Sequence, residues 1–155
     1  MEVQIQTIEA MQVMGIATRT TNQNEMHPAT AKIPALWGRL FQEQVMDKVP
    51  GRTPNAFPVG VYSQYDSDHR GPYSVLVGAE VLDLGTVPDG MVGLAIPAGP
   101  YLVFTAQGPM PQVVIDTWIA IWQYFSENPQ YTRAYSADVE LYRGPEEVAI
   151  HIAIK

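Results

Sequence analysis

Glu140 lies within the sequence SADVELYRG, where polar and apolar residues alternate as they do in a half-buried β-strand. Val139 and Leu141 flank it and would face the opposite side of that strand. A carboxylate that folding removes from water costs several kcal/mol unless something pairs with it. Glu140 therefore either faces water at a sheet edge, pairs with the nearby Arg143, or awaits a positively charged group.

Aromatic side chains supply the second kind of chemistry in this sequence. An aromatic face attracts an organic cation by roughly 0.5–2 kcal/mol, and a partly desolvated carboxylate adds a longer-range attraction. The candidates for such a ligand site are Glu140, Tyr62, Tyr142, Trp37, Trp118, Trp122, Tyr73 and Phe104. The tryptophans lie on apolar helix stripes, and such stripes usually pack in a core. Each of them is therefore either a core residue or a wall of the site.

The sequence lacks the residues that thiol chemistry, metal binding and nucleotide binding usually require. The chain has no cysteine, which excludes disulfides, thiolate nucleophiles and thiolate metal sites. Its three histidines, His27, His69 and His151, do not follow a metal-binding spacing. DSDHRG begins like a calcium loop, but Arg70 and Val77 occupy positions that should carry oxygen ligands. No glycine-rich phosphate loop or nucleophile elbow is present, so we expect neither a metal nor a cofactor.

Length and charge narrow the class further. A chain of 155 residues with 46% hydrophobic residues is sufficient for one domain with a sizeable core, spanning residues 1–155. A net charge of −7 would repel a nucleic-acid backbone, so direct DNA or RNA binding is not expected. No apolar run is long enough to span a membrane, and the N-terminus does not resemble a signal peptide. We therefore expect a cytoplasmic protein that does not bind membranes.

The order of elements repeats along the chain. Residues 3–8, 11–20, 56–65 and 72–82 read as strands, and a helix carries Ile33, Leu36, Trp37, Leu40, Phe41 and Val45 on one face. The second half again gives two strands, within residues 91–107, and then a helix. That helix carries Ile115, Trp118, Ile119, Trp122 and Phe125 on one stripe. Residues 135–142 and 147–155 close the chain as a hairpin. Each half, about 1–85 and 86–155, therefore reads strand, strand, helix, strand, strand.

This repetition predicts the fold class. We expect an α+β fold with a pseudo-two-fold axis, in which two main helices cover an eight-stranded, curved antiparallel sheet and a cleft lies where the halves meet. Overlaying the halves sets Val61 on Val139 and Tyr62 on Glu140. A phenol and a carboxylate should then lie on either side of the cleft. A hairpin loop over residues 143–146 would set Glu140 opposite Ala149, whose small side chain would leave room above the carboxylate.

The sequence resembles the GyrI-like family of effector-binding domains, which occur alone or fused to AraC-type and MerR-type regulators. The residues that carry the resemblance are IPAGPYLVFTAQGP, WIAIWQYFSEN, DVELYRG and VAIHIAIK, with weaker echoes in IEAMQVMGIATRT and IPALWGRLFQE. No helix-turn-helix segment lies outside the match. The chain therefore looks like the ligand-binding module in its stand-alone form, of the sort also found in mobile (integron) cassettes of bacteria.

The resemblance implies a function. Members of the family hold lipophilic cations in an aromatic cleft with an acidic residue, which falls on Glu140 here. The leading hypothesis is therefore a drug-binding or effector-binding protein that regulates transcription or sequesters a toxic compound. A rival hypothesis is hydrolysis, because some GyrI-like proteins are thought to open strained rings in genotoxic compounds; Glu140 would be the base, with His151 or Tyr142 as proton partner. A third is a regulatory protein partner, since family members can inhibit a topoisomerase.

Overall fold

Eight strands form one curved, open antiparallel sheet in the computed structural model, which describes residues 1–55 and 57–155. The strands are β1 (Glu2–Ile8), β2 (Met11–Thr20), β3 (Val59–Ser63), β4 (Tyr73–Val81), β5 (Val92–Ile96), β6 (Gly99–Gln107), β7 (Ala137–Gly144) and β8 (Glu147–Ala153). The helices in the described residues are α1 (Asn22–Glu25), α2 (Ile33–Gln42), α3 (Val45–Lys48) and α4 (Gln112–Glu127). The α+β class and the repeated order of elements are confirmed. The extended run predicted from residue 56 begins at Ala56, outside the described residues.

The strand order shows how the two halves join. It runs β1-β6-β8-β7-β3-β4-β2-β5, so β3 and β7 meet at the centre of the sheet. Val61 lies directly opposite Val139 in that central pair, as the overlay of the halves requires. The first strand of each half pairs with the other half: β1 with β6, and β5 with β2. The sequence did not predict this exchange of outer strands.

Both faces of the sheet are buried, but by different means. On one face, α2 and α3 cover one cluster of buried side chains and α4 covers another. The cluster on the opposite face draws residues from all eight strands and none from a helix. The halves therefore present two helices side by side on one face, and the centre of the sheet lies between them.

Two predictions about the helices need correction. The apolar face assigned to one helix is split, because α2 ends at Gln42, Gln44 has a left-handed backbone (φ 51°) and Val45 begins α3. In α4 the buried positions are Val113, Thr117 and Ile121. On the stripe named from the sequence, Ile115, Ile119 and Trp122 are exposed instead. α4 carries apolar residues on more than one side, and only one of these sides packs against the sheet. No helix among the described residues has the length and apolarity that crossing a membrane requires.

Candidate ligand-binding site

Glu140 occupies the centre of the sheet on the face that carries the helices. Its side chain is only 1% exposed. The carboxylate accepts three hydrogen bonds, all from aromatic residues. The Tyr62 hydroxyl and the Trp118 indole N–H donate to Oε2 at 2.8 and 2.7 Å, and the Tyr142 hydroxyl donates to Oε1 at 2.8 Å. A buried carboxylate thus sits within a ring of neutral donors, and the phenol of Tyr62 meets it as the overlay of the two halves predicts.

The predicted pairing of the last two strands is wrong by one residue. Ile150, not Ala149, lies opposite Glu140, and Val139 lies opposite His151. β7 continues further than expected, to Gly144, whereas β8 begins at Glu147 as predicted, and the register shifts between Tyr142 and Gly144. This bulge accommodates a residue that a regular four-residue loop would have placed in the turn. Since a shift by one residue exchanges the faces of a strand, the room above Glu140 must come from another residue.

Gly60 provides that room. It faces Glu140 across the β3–β7 pair. A Cβ atom at this position would lie 3.1 Å from Glu140 Oε1 and 3.2 Å from Trp37 Cζ2. Both distances are shorter than ordinary contacts. The absence of a side chain at residue 60 therefore lets the carboxylate and the indole approach each other.

We expect Gly60→Ala to lower the free energy of unfolding by about 1–3 kcal/mol, because a methyl group here would press on both the Glu140 carboxylate and the Trp37 indole. Urea denaturation measures this change. Gly144→Ala is the matched control, since nothing lies within 4 Å of a Cβ at that position on β7. Equal stabilities of the two variants would contradict the tight packing described here.

Aromatic rings form the walls around the carboxylate. The ring centroids of Trp37 and Tyr142 are 5.4 Å apart and those of Tyr62 and Trp118 are 5.1 Å apart, both pairs in edge-to-face geometry. Tyr73 lies behind Tyr62, at 5.8 Å. Trp37 comes from α2 and Trp118 from α4, so each half contributes one indole. The site is therefore built where the halves meet.

The electrostatics of the site follow from its burial. Burial raises the pKa of Glu140 above its ordinary value, and the hydrogen bonds from Trp118, Tyr142 and Tyr62 oppose this only in part. Burial, together with the charge of Glu140, also raises the pKa values of Tyr62 and Tyr142. The two phenols therefore stay protonated and act as donors. Ionised Glu140 has hydrogen bonds but, among the residues that the structure describes, no counter-charge.

A second buried carboxylate on the same strand provides a comparison. Asp138 is fully buried and forms an ion pair with Arg133, whose Nη2 lies 2.7 Å from Oδ2. Its other oxygen accepts the Ala153 backbone N–H at 3.0 Å. Glu140 forms no ion pair with any described residue, and Arg143, one of the alternatives considered from the sequence, is exposed. Asp138 and Glu140 lie two residues apart on one face, but only Asp138 has a cation.

Two of the predicted site residues lie away from the carboxylate. Phe104 has no exposed surface and packs on Tyr124 and Phe125 beneath α4, with Ile150 between it and Glu140 in the sheet. Its position is that of a core residue. Trp122 lies one turn beyond Trp118, with its ring centroid 6.4 Å away, and lines a different groove.

Of the two proton partners suggested for Glu140 in a hydrolase, Tyr142 contacts the carboxylate and His151 does not. His151 pairs with Val139 and packs near Tyr101, both on the opposite face of the sheet from Glu140. Burial lowers the pKa of His151. It therefore cannot exchange a proton with Glu140 directly.

The sequence reasoning missed Gly60 and Arg133. The repeat itself contained a signal for Gly60, because overlaying Tyr62 on Glu140 also places Gly60 on Asp138, next to the axis. Nothing in the sequence marks Arg133 as the partner of Asp138. Among the described residues, no group of three or more His, Asp or Glu side chains is arranged to hold a metal ion.

A family model described as Cass2, integron-associated effector binding protein, matches residues 4–154. The chain belongs to this family. A Cass2-family fold is confirmed by similarity to an integron cassette protein from the mobile metagenome of Vibrio cholerae, with 35% identity, a TM-score of 0.86, and coverage of 99% of this chain and 95% of that one. The resemblance to effector-binding domains stated from the sequence is thereby confirmed.

Two further relatives lie outside Vibrio. The putative transcriptional regulator YobU of Bacillus subtilis is 29% identical over 148 residues, which cover 91% of this chain and 90% of YobU. The structure of SAV2435 bound to tetraphenylphosphonium is similar to this Cass2-family chain, with a TM-score of 0.80 and 21% identity. The match covers 100% of this chain and 94% of the SAV2435 chain. At that identity the likeness to SAV2435 shows the fold alone.

Proposed function

We propose that this Cass2-family protein binds a lipophilic organic cation at Glu140, with Trp37, Trp118, Tyr62 and Tyr142 as the aromatic walls. The observation that carries the proposal is that only one of two buried carboxylates on β7 has a cationic partner. Asp138 has Arg133 beside it, whereas Glu140 is equally buried and receives only neutral donors. A buried charge without a counter-charge lowers the stability of a protein, and a ligand that supplies the counter-charge gives Glu140 a function that accounts for this cost.

The chemistry of the site defines the class of ligand. The site has one carboxylate and few directional hydrogen-bonding groups other than those already bound to Glu140, so it selects for charge and shape rather than for a particular polar pattern. A delocalised cation loses little hydration when it enters. The tetraphenylphosphonium bound by SAV2435, which has the same fold, is a ligand of this class.

Entry of such a ligand requires the rings to move. Glu140 is almost fully covered, and Trp118 and Tyr142 hold its two oxygens from different elements, α4 and β7. We propose that a bound cation displaces at least one of these rings and takes over the space next to the carboxylate. The site would then serve as the effector-binding part of a regulatory or sequestering system.

Comparison of a cation with a neutral molecule of similar shape tests the proposal. We expect tetraphenylphosphonium to bind at least about 100-fold more tightly than triphenylphosphine oxide, because a charge pair at 4 Å is worth about 4 kcal/mol at the effective dielectric constant of a protein surface, and removing the charges from water offsets only part of this. Isothermal titration calorimetry measures both affinities, and quenching of tryptophan fluorescence provides a second readout. Equal affinities for the two compounds would overturn the proposal.

A further inference from the structure

A second aromatic groove, of about 240 Å³, lies beyond the Glu140 site. The residues that matter for its chemistry are His69, Trp122, Phe125, Tyr131, Arg133 and Tyr135. None of the three donors to Glu140 lines it. The groove is therefore separate in composition from the proposed cation site, although Trp122 follows Trp118 by one helical turn.

Arg133, which lines this groove, carries a hydrogen-bond donor without an acceptor. The residue is 7% exposed, and its Nη2 is committed to Asp138 at 2.7 Å. Its Nε–H is buried and finds no acceptor in the described residues. A buried donor left unpaired costs about 1–3 kcal/mol, so native proteins usually satisfy such groups. An acceptor supplied by a ligand in the groove would satisfy this one.

The charges around the groove favour an anion over a cation. Asp138 does not line the groove, and its oxygens already accept from Arg133, Tyr65 and the Ala153 backbone N–H. No acidic residue lines the groove. Burial, followed by the nearby charge of Arg133, lowers the pKa of His69, so its imidazole is neutral at pH 7. The groove is therefore lined by a cationic side chain, whereas the Glu140 site contains an anionic one.

The walls of the groove suit a flat apolar ligand. The Arg133 guanidinium lies over the Tyr135 ring, 4.5 Å from its centroid, and the Tyr135 hydroxyl is 2.8 Å from His69 Nδ1. These contacts hold the Arg133 plane and the Tyr135 ring in place. Trp122 is 41% exposed and leaves much of its indole free to cover a ligand.

We propose that this groove binds a small aromatic monocarboxylate, with the ring system against Trp122 and the carboxylate accepting the Nε–H of Arg133. A planar guanidinium edge matches the geometry of a carboxylate. The volume accommodates one or two fused rings. The proposal stands independently of cation binding at Glu140.

The test uses 2-naphthoate, with 2-naphthalenemethanol as the neutral probe and 2-naphthylmethylamine as the cationic one. We expect calorimetry on the wild-type protein to show 2-naphthoate binding at least tenfold more tightly than either analogue. Trp122→Ala should weaken 2-naphthoate at least tenfold. Ile119→Ala, a substitution of another exposed apolar residue on α4, should leave its affinity unchanged. Equal affinities for the three probes, or equal effects of the two variants, would overturn the proposal.

Two more variants locate the carboxylate contact. Arg133→Lys keeps a cation beside Asp138 but removes the Nε–H, and it should lose the preference for 2-naphthoate over the alcohol while the melting curve shows a folded protein. If Arg133→Lys does not fold, the Trp122 and Ile119 variants decide the proposal. Glu140→Gln should leave 2-naphthoate binding unchanged even where tetraphenylphosphonium binding is lost. A loss of 2-naphthoate binding in Glu140→Gln would contradict an independent second site.

Discussion

Replacing Glu140 with glutamine should weaken the binding of tetraphenylphosphonium by about 100-fold or more. Removing one member of a desolvated charge pair typically costs about 2–5 kcal/mol, and each 1.4 kcal/mol corresponds to about tenfold in affinity. The neutral triphenylphosphine oxide should bind the variant and the wild type within about threefold, which is less than about 1 kcal/mol. Calorimetric titration of both proteins with both compounds measures the four affinities. A variant that retains the full affinity for the cation would exclude Glu140 as its counter-charge.

The substitution should leave the fold intact because the hydrogen bonds can be kept. Oε2 accepts from both Tyr62 and Trp118, so the amide oxygen of glutamine fits that position. The amide nitrogen then faces the Tyr142 hydroxyl, which can rotate to accept rather than donate. Loss of cation binding in a folded protein can therefore be assigned to the missing charge.

The pH dependence of stability provides an internal check on the same variant. Since the folded-state pKa of Glu140 is raised by burial, the native state holds its proton more tightly than the unfolded chain does. The stability that this proton contributes is complete below the unfolded pKa of about 4.5 and is lost as the pH rises through the folded pKa. Glutamine does not titrate. The stability of Glu140→Gln relative to wild type should therefore increase from pH 4.5 to pH 7, as measured by urea unfolding.

Replacing Arg133 with methionine should lower the free energy of unfolding by about 3–5 kcal/mol, because it leaves Asp138 charged, buried and without its cation. The melting temperature should fall by on the order of 10 °C, given about 2–4 °C per kcal/mol for a chain of this length. Thermal unfolding followed by circular dichroism measures the shift. The expected result differs from that for Glu140→Gln, which removes a charge that has no ion-pair partner in residues 1–55 and 57–155.

A second substitution identifies the cause of that loss. Arg133→Met combined with Asp138→Asn should regain most of the stability, because no buried charge remains uncompensated. Arg133→Met combined with Glu140→Gln should not regain this stability, because Asp138 still lacks its cation. If Arg133→Met alone unfolds within about 1 kcal/mol of wild type, the ion pair is not a major contributor to stability.

Periodicity and repetition predicted the parts of this protein that depend on local sequence. The two halves repeat the order of their elements, and a pseudo-two-fold axis between them requires Tyr62 and Glu140 to approach each other. The hydrogen bond of 2.8 Å between these residues shows that the overlay was sound even though the halves share few identical residues. A symmetric arrangement constrains positions near its axis more strongly than positions far from it.

Features that depend on tertiary packing were not predictable in the same way. The bulge after Tyr142 moved the pairing of Glu140 from Ala149 to Ile150, because loop length alone does not fix where an extra residue is absorbed. Either of two apolar stripes on α4 could have faced the sheet, and the choice was made by packing. Arg133 lies in the loop before β7, which returns to the sheet beside Asp138. A periodic pattern in the sequence does not predict the path of such a loop.

The exchange of β1 and β5 between the halves makes each half depend on the other for a complete sheet. A half containing only its own strands would lack a partner for the edge of β2 or of β6, and its first strand would have nothing to pair with. Fragments cut within residues 82–91 should therefore reassemble by complementation, since each one carries the strand that closes the other.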